Sequence, residues 1–364
     1  MKVAVIFGTR PEIIKLAPVV LSLRQFPRRF KTILVATAQH RGMLDQMLRI
    51  FELTPDIDLD IMRPNQSLES LTSILMKKLT AVLAQIRPDL VLIEGDTTTV
   101  MVSALAAFYK KIPVAHVEAG LRTQDLYNPF PEEINRRIVS VLATIHFAPT
   151  KNAANNLKKE GIPSSRIFIT GNTVVDALLD ISRKIEAYPL PLKLSPGKRL
   201  LLVTAHRRES FGKPLENICR ALKDVAEKNP EVEIVYPVHP NPNVQEKAFS
   251  LLQHTERIYL TEPFDYINFL LLMKKSYLIL TDSGGIQEEA PTFKKPVLVL
   301  RTTTERPEGV AAGIAKVVGT DRKRIVEETQ RLLDDRQEYL RMTRKRNPYG
   351  DGKAAERIRD ILLN

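Results

Sequence analysis

Short apolar runs alternate with amphipathic stretches along the first 170 residues of the chain. An apolar run of this length is typical of a strand that is buried on both faces, and the amphipathic spacing between runs is typical of surface helices. The pattern predicts six strands at Val3–Phe7, Thr32–Ala36, Leu90–Glu94, Val114–Val117, Ile145–Ala148 and Ile167–Ile169. Strands that alternate with helices in this way form a parallel sheet from βαβ units.

A second series of the same kind follows a surface connection between Tyr188 and Lys198, which is rich in proline, lysine and leucine. Its predicted strands are Leu200–Thr204, Glu233–Pro237, Ile258–Leu260, Tyr277–Thr281 and Val297–Leu300. The fold class is therefore α/β, with two Rossmann-like doubly wound domains expected to face a central cleft. We expect these domains at residues 1–172 and 173–345, and a C-terminal helix within 346–364 that packs back on the first domain.

Composition fits an ordinary globular protein, with 364 residues of which 44% are apolar and 26% charged. Cys219 is the one cysteine, which excludes an internal disulfide and a cysteine-based metal cluster. The chain enters its first strand without the pattern of a signal peptide, and no stretch has the length of a membrane span. The sequence predicts a cytoplasmic protein without a membrane partner.

The net charge of +12 allows two explanations, a nucleic-acid-binding protein or one that handles polyanionic small molecules. Lysines and arginines are scattered along the predicted helices and are not gathered into one arm or one recognition helix. The distribution therefore favours a small anionic ligand over nucleic acid.

The turn after the strand at Tyr277–Thr281 has the composition of a phosphate site. Gly284 and Gly285 leave the backbone accessible, and the N–H groups of a following first helical turn would face an anion. Ser283 suits the N-cap of that helix. The alternative is an ordinary strand-to-helix connection that uses glycine for a tight bend.

The first strand ends in a comparable turn, in which Arg10 and Lys15 place positive charge beside a helix N-terminus. The glycine fingerprint of dinucleotide-binding proteins is missing, and so is a Walker loop. Neither NAD, FAD nor P-loop nucleotide hydrolysis is therefore indicated. Arg10 and Lys15 could alternatively be solvated surface charges.

Carboxylates follow predicted strands or turns of the first domain at Asp96, Glu118 and Glu132. At the carboxyl ends of parallel strands they would reach a ligand cleft, where proton transfer to a sugar needs them. Asp96 could instead cap the helix that starts at Thr97, and Glu132 could serve the helix dipole and pair with arginines four residues on. Glu118 has no such capping alternative.

Three further candidates come from the second domain. His206 follows a strand and precedes two arginines, so that it could bind a diphosphate or act as an acid, whereas His239 is a weaker candidate. Arg306 lies on the loop after the last predicted strand and could reach the same anion.

Taken together, six motifs in order along the chain resemble the non-hydrolysing UDP-N-acetylglucosamine 2-epimerases. They are Gly-Thr-Arg-Pro-Glu at 8–12, Glu-Gly-Asp-Thr-Thr-Thr at 94–99, His-Val-Glu-Ala-Gly-Leu-Arg at 116–122, Pro-Glu-Glu-Ile-Asn-Arg at 131–136, Asp-Ser-Gly-Gly-Ile-Gln-Glu-Glu at 282–289 and Thr-Glu-Arg-Pro-Glu at 304–308. The resemblance spans nearly the whole chain.

This resemblance implies a GT-B architecture and exchange of UDP-GlcNAc with UDP-ManNAc. The implied chemistry is elimination of UDP to 2-acetamidoglucal followed by re-addition, with no metal or nicotinamide cofactor. It further implies a homodimer that serves surface polysaccharide synthesis. Rivals are a 2-epimerase of a diacetamido uronic acid nucleotide, a hydrolysing epimerase that releases ManNAc, and a catalytically silent UDP-sugar sensor.

By the same resemblance, acid/base roles fall to Asp96, Glu118 and Glu132, and His206 is a further catalytic and binding residue. Contacts to the UDP-sugar are implied for Arg10, Lys15, His206, Ser283, Gly284, Gly285 and Arg306, to the ribose for Glu289, and to the uracil for Phe264 and Phe269. Many bacterial relatives bind a second UDP-GlcNAc as an activator. Gln39-His40 is present here, but Gly42 and Asn65-Gln66 depart from that pattern.

Overall fold

Two parallel sheets organise the chain, for which a computed structural model describes residues 1–37, 41–63 and 66–364. Unit 1 comprises Met1–Leu179 and Tyr349–Asn364, and unit 2 comprises Asp180–Pro348. Among the described residues, no helix combines the length and apolar composition needed to cross a membrane.

Unit 1 holds the larger sheet, whose strands are ordered β3-β2-β1-β4-β5-β6-β7 and pair in parallel throughout. Its strands are β1 (Lys2–Phe7), β2 (Lys31–Ala36), β3 (Ile57–Asp58), β4 (Leu90–Glu94), β5 (Val114–Val117), β6 (Ile145–Ala148) and β7 (Ile167–Ile169). The helices are α1 (Arg10–Arg24), α2 (Arg41–Ile50), α3 (Leu68–Ile86), α4 (Thr98–Tyr109), α5 (Glu132–Leu142), α6 (Lys151–Lys159) and α7 (Thr173–Lys184), the last of which runs on into unit 2.

Unit 2 repeats this plan with the strand order β10-β9-β8-β11-β12-β13. Its strands are β8 (Arg199–Thr204), β9 (Val232–Pro237), β10 (Ile258–Thr261), β11 (Leu278–Thr281), β12 (Val297–Val299) and β13 (Ala315–Val317). Its helices are α8 (Lys213–Lys228), α9 (Pro242–Leu252), α10 (Tyr266–Lys275), α11 (Gly284–Glu289), α12 (Pro307–Ala311), α13 (Arg322–Asp334) and α14 (Arg336–Thr343).

Helices cover both faces of the sheet in unit 1, which explains why its central strands are apolar along their whole length. Ala4 and Ile6 of β1 join a buried cluster with side chains of α3 and α4. The alternating residues Val3 and Val5 point to the opposite face, where α1 packs. All five residues of β4 are buried, as expected for a central strand of a parallel sheet.

The sequence pattern did not predict two strands at the edges of the sheets. β3 and β13 have only two and three residues, too few to show an apolar run or an alternation of apolar and polar positions. The eleven predicted strands all form, with end positions that differ by at most two residues. The alternation of strands and helices therefore predicts the architecture, whereas the edges of the sheets depend on pairing.

The chain crosses between the units within α7, seven residues beyond the expected boundary at residue 172, because the first half of α7 packs in unit 1. There Val174, Val175 and Leu178 are buried. The final helix, α15 (Ala354–Leu363), also belongs to unit 1 and packs against α1. The first turn of α15 is held by Asp176 of α7, whose carboxylate accepts hydrogen bonds from the backbone N of Ala354 (3.3 Å) and Ala355 (2.9 Å).

Asp176→Ala removes this cap, and Lys353 at the N-cap position offers no side-chain replacement. We expect the free energy of unfolding to fall by about 1–2 kcal/mol, measured by urea denaturation, because two backbone donors lose their acceptor. Asp176→Asn keeps an acceptor and serves as the matched control with a smaller loss. Equal stability of Asp176→Ala and the unmodified protein would contradict the assignment.

Candidate active site

The order of strands reverses once in each sheet, between β1 and β4 in unit 1 and between β8 and β11 in unit 2. Open parallel sheets bind ligands beyond the carboxyl ends of the strands at such a switch point. The sequence places candidate residues just after all four strands: the turn that leads to Lys15, Asp96, His206, and Ser283.

Lys15 of α1 forms an ion pair with the carboxylate that follows β5. Its Nζ lies 2.6 and 2.5 Å from the two oxygens of Glu118 and 3.2 Å from Oε1 of Glu94. Asn172, which lies just before α7, donates from Nδ2 to Glu118 Oε1 at 3.1 Å. We call Lys15, Glu94, Glu118 and Asn172 the Lys15 cluster. Both oxygens of Glu118 therefore accept from the charged Lys15, and one of them also accepts from the neutral Asn172.

The backbone of Glu118 adopts a left-handed conformation with φ of +62°. A residue with a side chain rarely adopts this region, and such residues are concentrated at functional sites. The conformation turns the chain sharply after β5, so that the carboxylate of Glu118 lies beside Lys15. Sequence reasoning selected Glu118 from its position alone and could not foresee this turn.

Two consecutive residues of α5 hold Asp96. Arg136 Nη2 lies 2.5 Å from Asp96 Oδ2, and Asn135 Nδ2 donates to the backbone oxygen of Asp96 at 2.9 Å. The alternative of Asp96 as helix cap is wrong, because Thr97 occupies the N-cap of α4 and accepts from the backbone N of Val100. Burial raises the pKa of Asp96, and the positive charge of Arg136 opposes that rise.

A buried carboxyl group joins the turns after β1 and β4. Glu12 accepts from the backbone N of Gly8 (2.5 Å) and Thr9 (3.1 Å) and from Oγ1 of Thr97 (2.5 Å). Burial raises the pKa of Glu12 to about 7, against the opposing effect of these three donors. Glu12 therefore fixes the start of α1, from which Arg10 and Lys15 project.

His116 of β5 fixes the turn that carries Asp96. Its Nε2 lies 2.7 Å from the backbone oxygen of Gly95, which can only accept, so the proton resides on Nε2. Gly95 adopts a φ of +85°, a conformation that suits glycine. Burial lowers the pKa of His116 to about 3, and the ring is neutral at physiological pH.

Among the described residues, no hydrogen bond or ion pair joins Glu132 to the Lys15 cluster. Glu132 is the half-buried first residue of α5, and Arg10 is the half-buried first residue of α1. The expected pairing with arginines of α5 is found for the next residue, since Glu133 lies 2.9 Å from Arg137 and 3.4 Å from Arg136. The candidate role of Glu132 stays a prediction.

In unit 2 a buried carboxylate, Asp282, organises the turn that carries His206. Asp282 Oδ2 accepts from the backbone N of His206 (2.6 Å) and Arg207 (2.8 Å), and Oδ1 lies 3.2 Å from His206 Nδ1. Burial raises the pKa of Asp282, but these interactions outweigh it and hold the pKa below its usual range. The His206 ring, partly exposed, stacks on His239 with centroids 5.4 Å apart.

Arginines surround the first glycine of the phosphate-type turn. A Cβ on Gly284 would lie 3.7 Å from Arg207 Nη2 and 3.8 Å from Arg306 Cζ. Glu305 lies between Arg207 and Arg301, at 3.3 and 3.2 Å, and Arg306 is held by Glu288. This group of guanidinium ions and backbone N–H groups has the donors that a diphosphate requires.

The remaining candidates of unit 2 lie on α10 and α11. Ser283 occupies the N-cap of α11 as expected, but its side chain makes no capping hydrogen bond. Glu289, at the last position of α11, accepts from the hydroxyl of Tyr266 at 3.2 Å. Phe269 lies on α10 with Tyr266, Phe264 lies just before α10, and both phenylalanines are half-buried.

Sequence reasoning missed Glu94, Asn172, Arg136 and Asp282 as members of these sites. Glu94 appeared as the last residue of an apolar strand, and Asn172 lies outside the motifs that were singled out. A search for polar residues just after every predicted parallel strand would have found Asn172, which follows β7. Of the positions tied to an activator site, Gln39, His40 and Asn65 lie outside the described residues, and Gly42 is an exposed residue of α2.

No group of three or more His, Cys, Asp or Glu side chains within residues 1–37, 41–63 and 66–364 has the arrangement of a metal site. The basic residues described above give both sites positive charge. Their counterpart in a ligand is an anion.

Comparison with known proteins identifies relatives over the full length of the chain. The family model described as UDP-N-acetylglucosamine 2-epimerase matches residues 23–363. The UDP-N-acetylglucosamine 2-epimerase of Salmonella typhimurium is 52% identical over 373 residues, which cover 100% of this chain and 98% of the relative.

Two solved structures show the same fold. The UDP-GlcNAc 2-epimerase of Neisseria meningitidis bound to UDP-GlcNAc is 48% identical with a TM-score of 0.91, and the match covers 100% of both chains. The S. aureus protein MnaA in a co-structure with UDP is 49% identical with a TM-score of 0.84, over 98% of this chain and 94% of that chain. The expected fold class of two Rossmann-like domains is confirmed.

The buried His116 gives unit 1 a specific pH dependence. Its pKa falls from 6.5 to about 3 on folding, so the unfolded chain binds a proton that the folded chain rejects. As pH falls from about 6.5 toward about 3, we expect each pH unit to cost about 1.4 kcal/mol of unfolding free energy. His116→Gln keeps a donor for Gly95 but does not titrate, so the protein with His116 should lose stability more steeply in acid. Identical slopes in urea denaturation from about pH 6 to 4 would contradict this.

Proposed function

This chain belongs to the UDP-N-acetylglucosamine 2-epimerase family, and on that premise we propose that it interconverts UDP-GlcNAc and UDP-ManNAc. The observation that carries the proposal is the Lys15 cluster, which places a carboxylate held by Lys15 and Asn172 beyond the end of β5. Asp96 lies close enough to interact electrostatically with Glu118 and Lys15. A reversible proton transfer needs carboxyl groups arranged in this way.

The reaction proceeds by elimination and re-addition. A carboxylate removes the proton from C2 while the bond from C1 to the UDP oxygen breaks, which leaves 2-acetamidoglucal and UDP. UDP then adds back at C1, and a proton is delivered to the opposite face of C2. Since the C2 proton is not α to a carbonyl group, stabilisation of the departing diphosphate supplies most of the rate enhancement.

We assign the sugar chemistry to unit 1. Asp96, Glu118 and Glu132 exchange the C2 proton, and Lys15 and Arg10 bind the anionic parts of the substrate. The ion pair with Arg136 and the hydrogen bond from Asn135 support the assignment of Asp96, because they fix its carboxylate and its backbone. Lys15 supports the assignment of Glu118 in the same way.

We assign the nucleotide to unit 2. His206, Arg306 and the turn of Ser283, Gly284 and Gly285 bind the diphosphate, where the guanidinium groups offset the charge of the leaving UDP. Glu289 accepts a hydrogen bond from the ribose, and Phe264 and Phe269 contact the uracil. The hydrogen bond from Tyr266 to Glu289 supports this arrangement, because it ties the helix of Phe269 to the end of α11.

Proton NMR of the product formed from UDP-GlcNAc tests the activity. We expect an anomeric signal of UDP-ManNAc to appear and to reach a constant ratio to UDP-GlcNAc. Release of free ManNAc would indicate a hydrolysing epimerase, and binding of UDP without any product would indicate a sensor. Turnover confined to a diacetamido uronic acid nucleotide would move the substrate assignment to that class.

Variants separate the two sites. Glu118→Gln and Asp96→Asn keep shape and hydrogen bonding but cannot exchange a proton, so we expect turnover to fall by about 100-fold or more with UDP affinity largely kept. His206→Ala is the contrasting variant, since calorimetry should show weaker binding of UDP itself. Normal turnover of either carboxylate variant would remove that residue from the mechanism.

The proposal includes a cytoplasmic homodimer that supplies surface polysaccharide synthesis. Cys219 is a buried, unpaired thiol, which suits a reducing compartment. Exposed apolar side chains form a stripe on α5 at Ile134, Ile138 and Val141. Spacing of four and three residues places them on one helix face, and such a face is typical of a subunit interface.

Val141, which is 80% exposed, is the position at which this stripe is tested. Val141→Asp introduces a charge that an apolar interface cannot solvate, so we expect sedimentation to show monomers where the unmodified protein forms dimers. Lys323→Glu, at an 84% exposed side chain of α13, is the control and should stay dimeric. A dimeric Val141→Asp variant would place the interface elsewhere.

A further inference from the structure

Glu94 is a buried acid that the proposed mechanism leaves without a role. It is the last residue of β4, 1% exposed, and its Oε1 lies 3.2 Å from the same Lys15 Nζ that pairs with Glu118 at 2.5 Å. In the sheet, Glu94 is the register partner of Val117, the residue that precedes Glu118. Neighbouring strand ends therefore bring the two carboxyl groups together.

Donors are distributed unequally between these two groups. Glu118 receives hydrogen bonds from Lys15 on both oxygens and one from Asn172. Within the described part of the chain, Oε1 of Glu94 is buried without a hydrogen bond, and the 3.2 Å approach of Lys15 Nζ lacks hydrogen-bond geometry. An ionised Glu94 is therefore unfavourable, because a buried charge needs hydrogen bonds or a close ion pair to offset its lost hydration.

Two buried carboxyl groups that share one ammonium group favour a state with one proton between them, since two adjacent ionised carboxylates repel each other. The donors already present favour the ionised form of Glu118, so the proton belongs to Glu94. The electrostatics agree in direction, because burial raises the pKa of Glu94 well above its usual range, Lys15 opposes the rise and the charge of Glu118 adds to it.

We propose that Glu94 is a positioning residue that is protonated in the resting protein and donates its proton in a hydrogen bond to ionised Glu118. This inference rests on the function proposed above. A neutral Glu94 leaves the charge of Lys15 to Glu118, and its O–H lowers the proton affinity of Glu118. An ionised Glu94 would do the reverse, since a second negative charge beside Glu118 raises its proton affinity and competes for Lys15.

In this arrangement the protonation state of Glu94 does not change during the reaction. When Glu118 takes the proton from C2, it becomes a neutral acid, and Glu94 keeps its own proton. A second acid, which takes up its proton from solvent, delivers a proton to the opposite face of C2. Glu118 then loses its proton to solvent, which restores the ionised group and its ion pair with Lys15. Glu94 begins and ends each cycle protonated.

Infrared spectroscopy tests the protonation directly and without turnover. A protonated carboxyl group gives a C=O stretching band apart from those of carboxylates, and the band shifts in D2O. At about pH 8.5, above the pKa of about 7 for Glu12, we expect this band in the unmodified protein and its loss in Glu94→Gln. Glu118→Gln should shift the band, because its acceptor changes, and Glu227→Gln, at an exposed side chain of α8, should leave it unchanged. A band that survives in Glu94→Gln, or that is absent from the unmodified protein, overturns the proposal.

Activity assays then distinguish a positioning role of Glu94 from a role in packing alone. Glu94→Gln mimics the protonated acid, so we expect near-normal kcat at neutral pH and an activity plateau that extends further into the alkaline range. Glu94→Leu fills the same space without a donor, and its kcat should fall by about 10- to 100-fold with KM little changed. A Glu94→Gln variant that is as inactive as Glu94→Leu at every pH contradicts the positioning role.

Different results would refute the proposed function and the inference about Glu94. A protein that shows the band and its loss in Glu94→Gln, but never converts UDP-GlcNAc, refutes the proposed function and leaves the protonation of Glu94 established. A protein that epimerises UDP-GlcNAc but has no such band refutes the inference about Glu94 alone.

Discussion

The ammonium group of Lys15 determines how the acids of unit 1 are charged. Its Nζ lies between two carboxyl groups that follow neighbouring strands, 2.5 Å from Glu118 and 3.2 Å from Glu94. Without a cation, two adjacent buried carboxyl groups would repel each other and both would favour the neutral form. Lys15 and Asn172 are arranged asymmetrically, so in the proposed mechanism Glu118 is the group that stays ionised for proton transfer.

Each unit uses a buried acid to build the turn that carries its cations. In unit 1, Glu12 accepts from Gly8, Thr9 and Thr97 and so fixes the start of α1, five residues before Lys15. In unit 2, Asp282 accepts from the backbone of His206 and from that of the next residue. These acids satisfy backbone donors that would otherwise be buried without partners, which explains why negative groups lie inside the proposed anion sites.

Regular features of the sequence predicted the fold and many of the site positions. Apolar strands followed by glycines, acids and histidines locate the switch points, because parallel strands bring their carboxyl ends together at one edge of a sheet. Motif resemblance added roles for residues such as Glu289 and Phe269, for which periodicity gives no signal. A Cβ on Gly284 would make ordinary contacts with Arg207, Glu305 and Arg306, so the expectation that Gly284 and Gly285 leave the backbone accessible to a ligand stays a prediction.

What the sequence left open depends on tertiary contacts. Thr97 occupies the N-cap of α4, so Asp96 does not cap that helix. Asp96 pairs instead with Arg136, which lies 40 positions further along the chain. Glu94 could not be separated from an ordinary strand end until Lys15 was found beside it. The short edge strands β3 and β13 likewise exist only through pairing with longer neighbours.

The central claim is that carboxyl groups of unit 1 exchange the proton on C2 of the hexose with solvent. Incubation of UDP-GlcNAc with the protein in D2O, followed by NMR and mass spectrometry of the recovered sugar nucleotides, measures this exchange directly. The account predicts deuterium at C2 of the UDP-ManNAc that forms and of the UDP-GlcNAc that is re-formed from it. UDP-ManNAc that retains the original proton at C2 would contradict it.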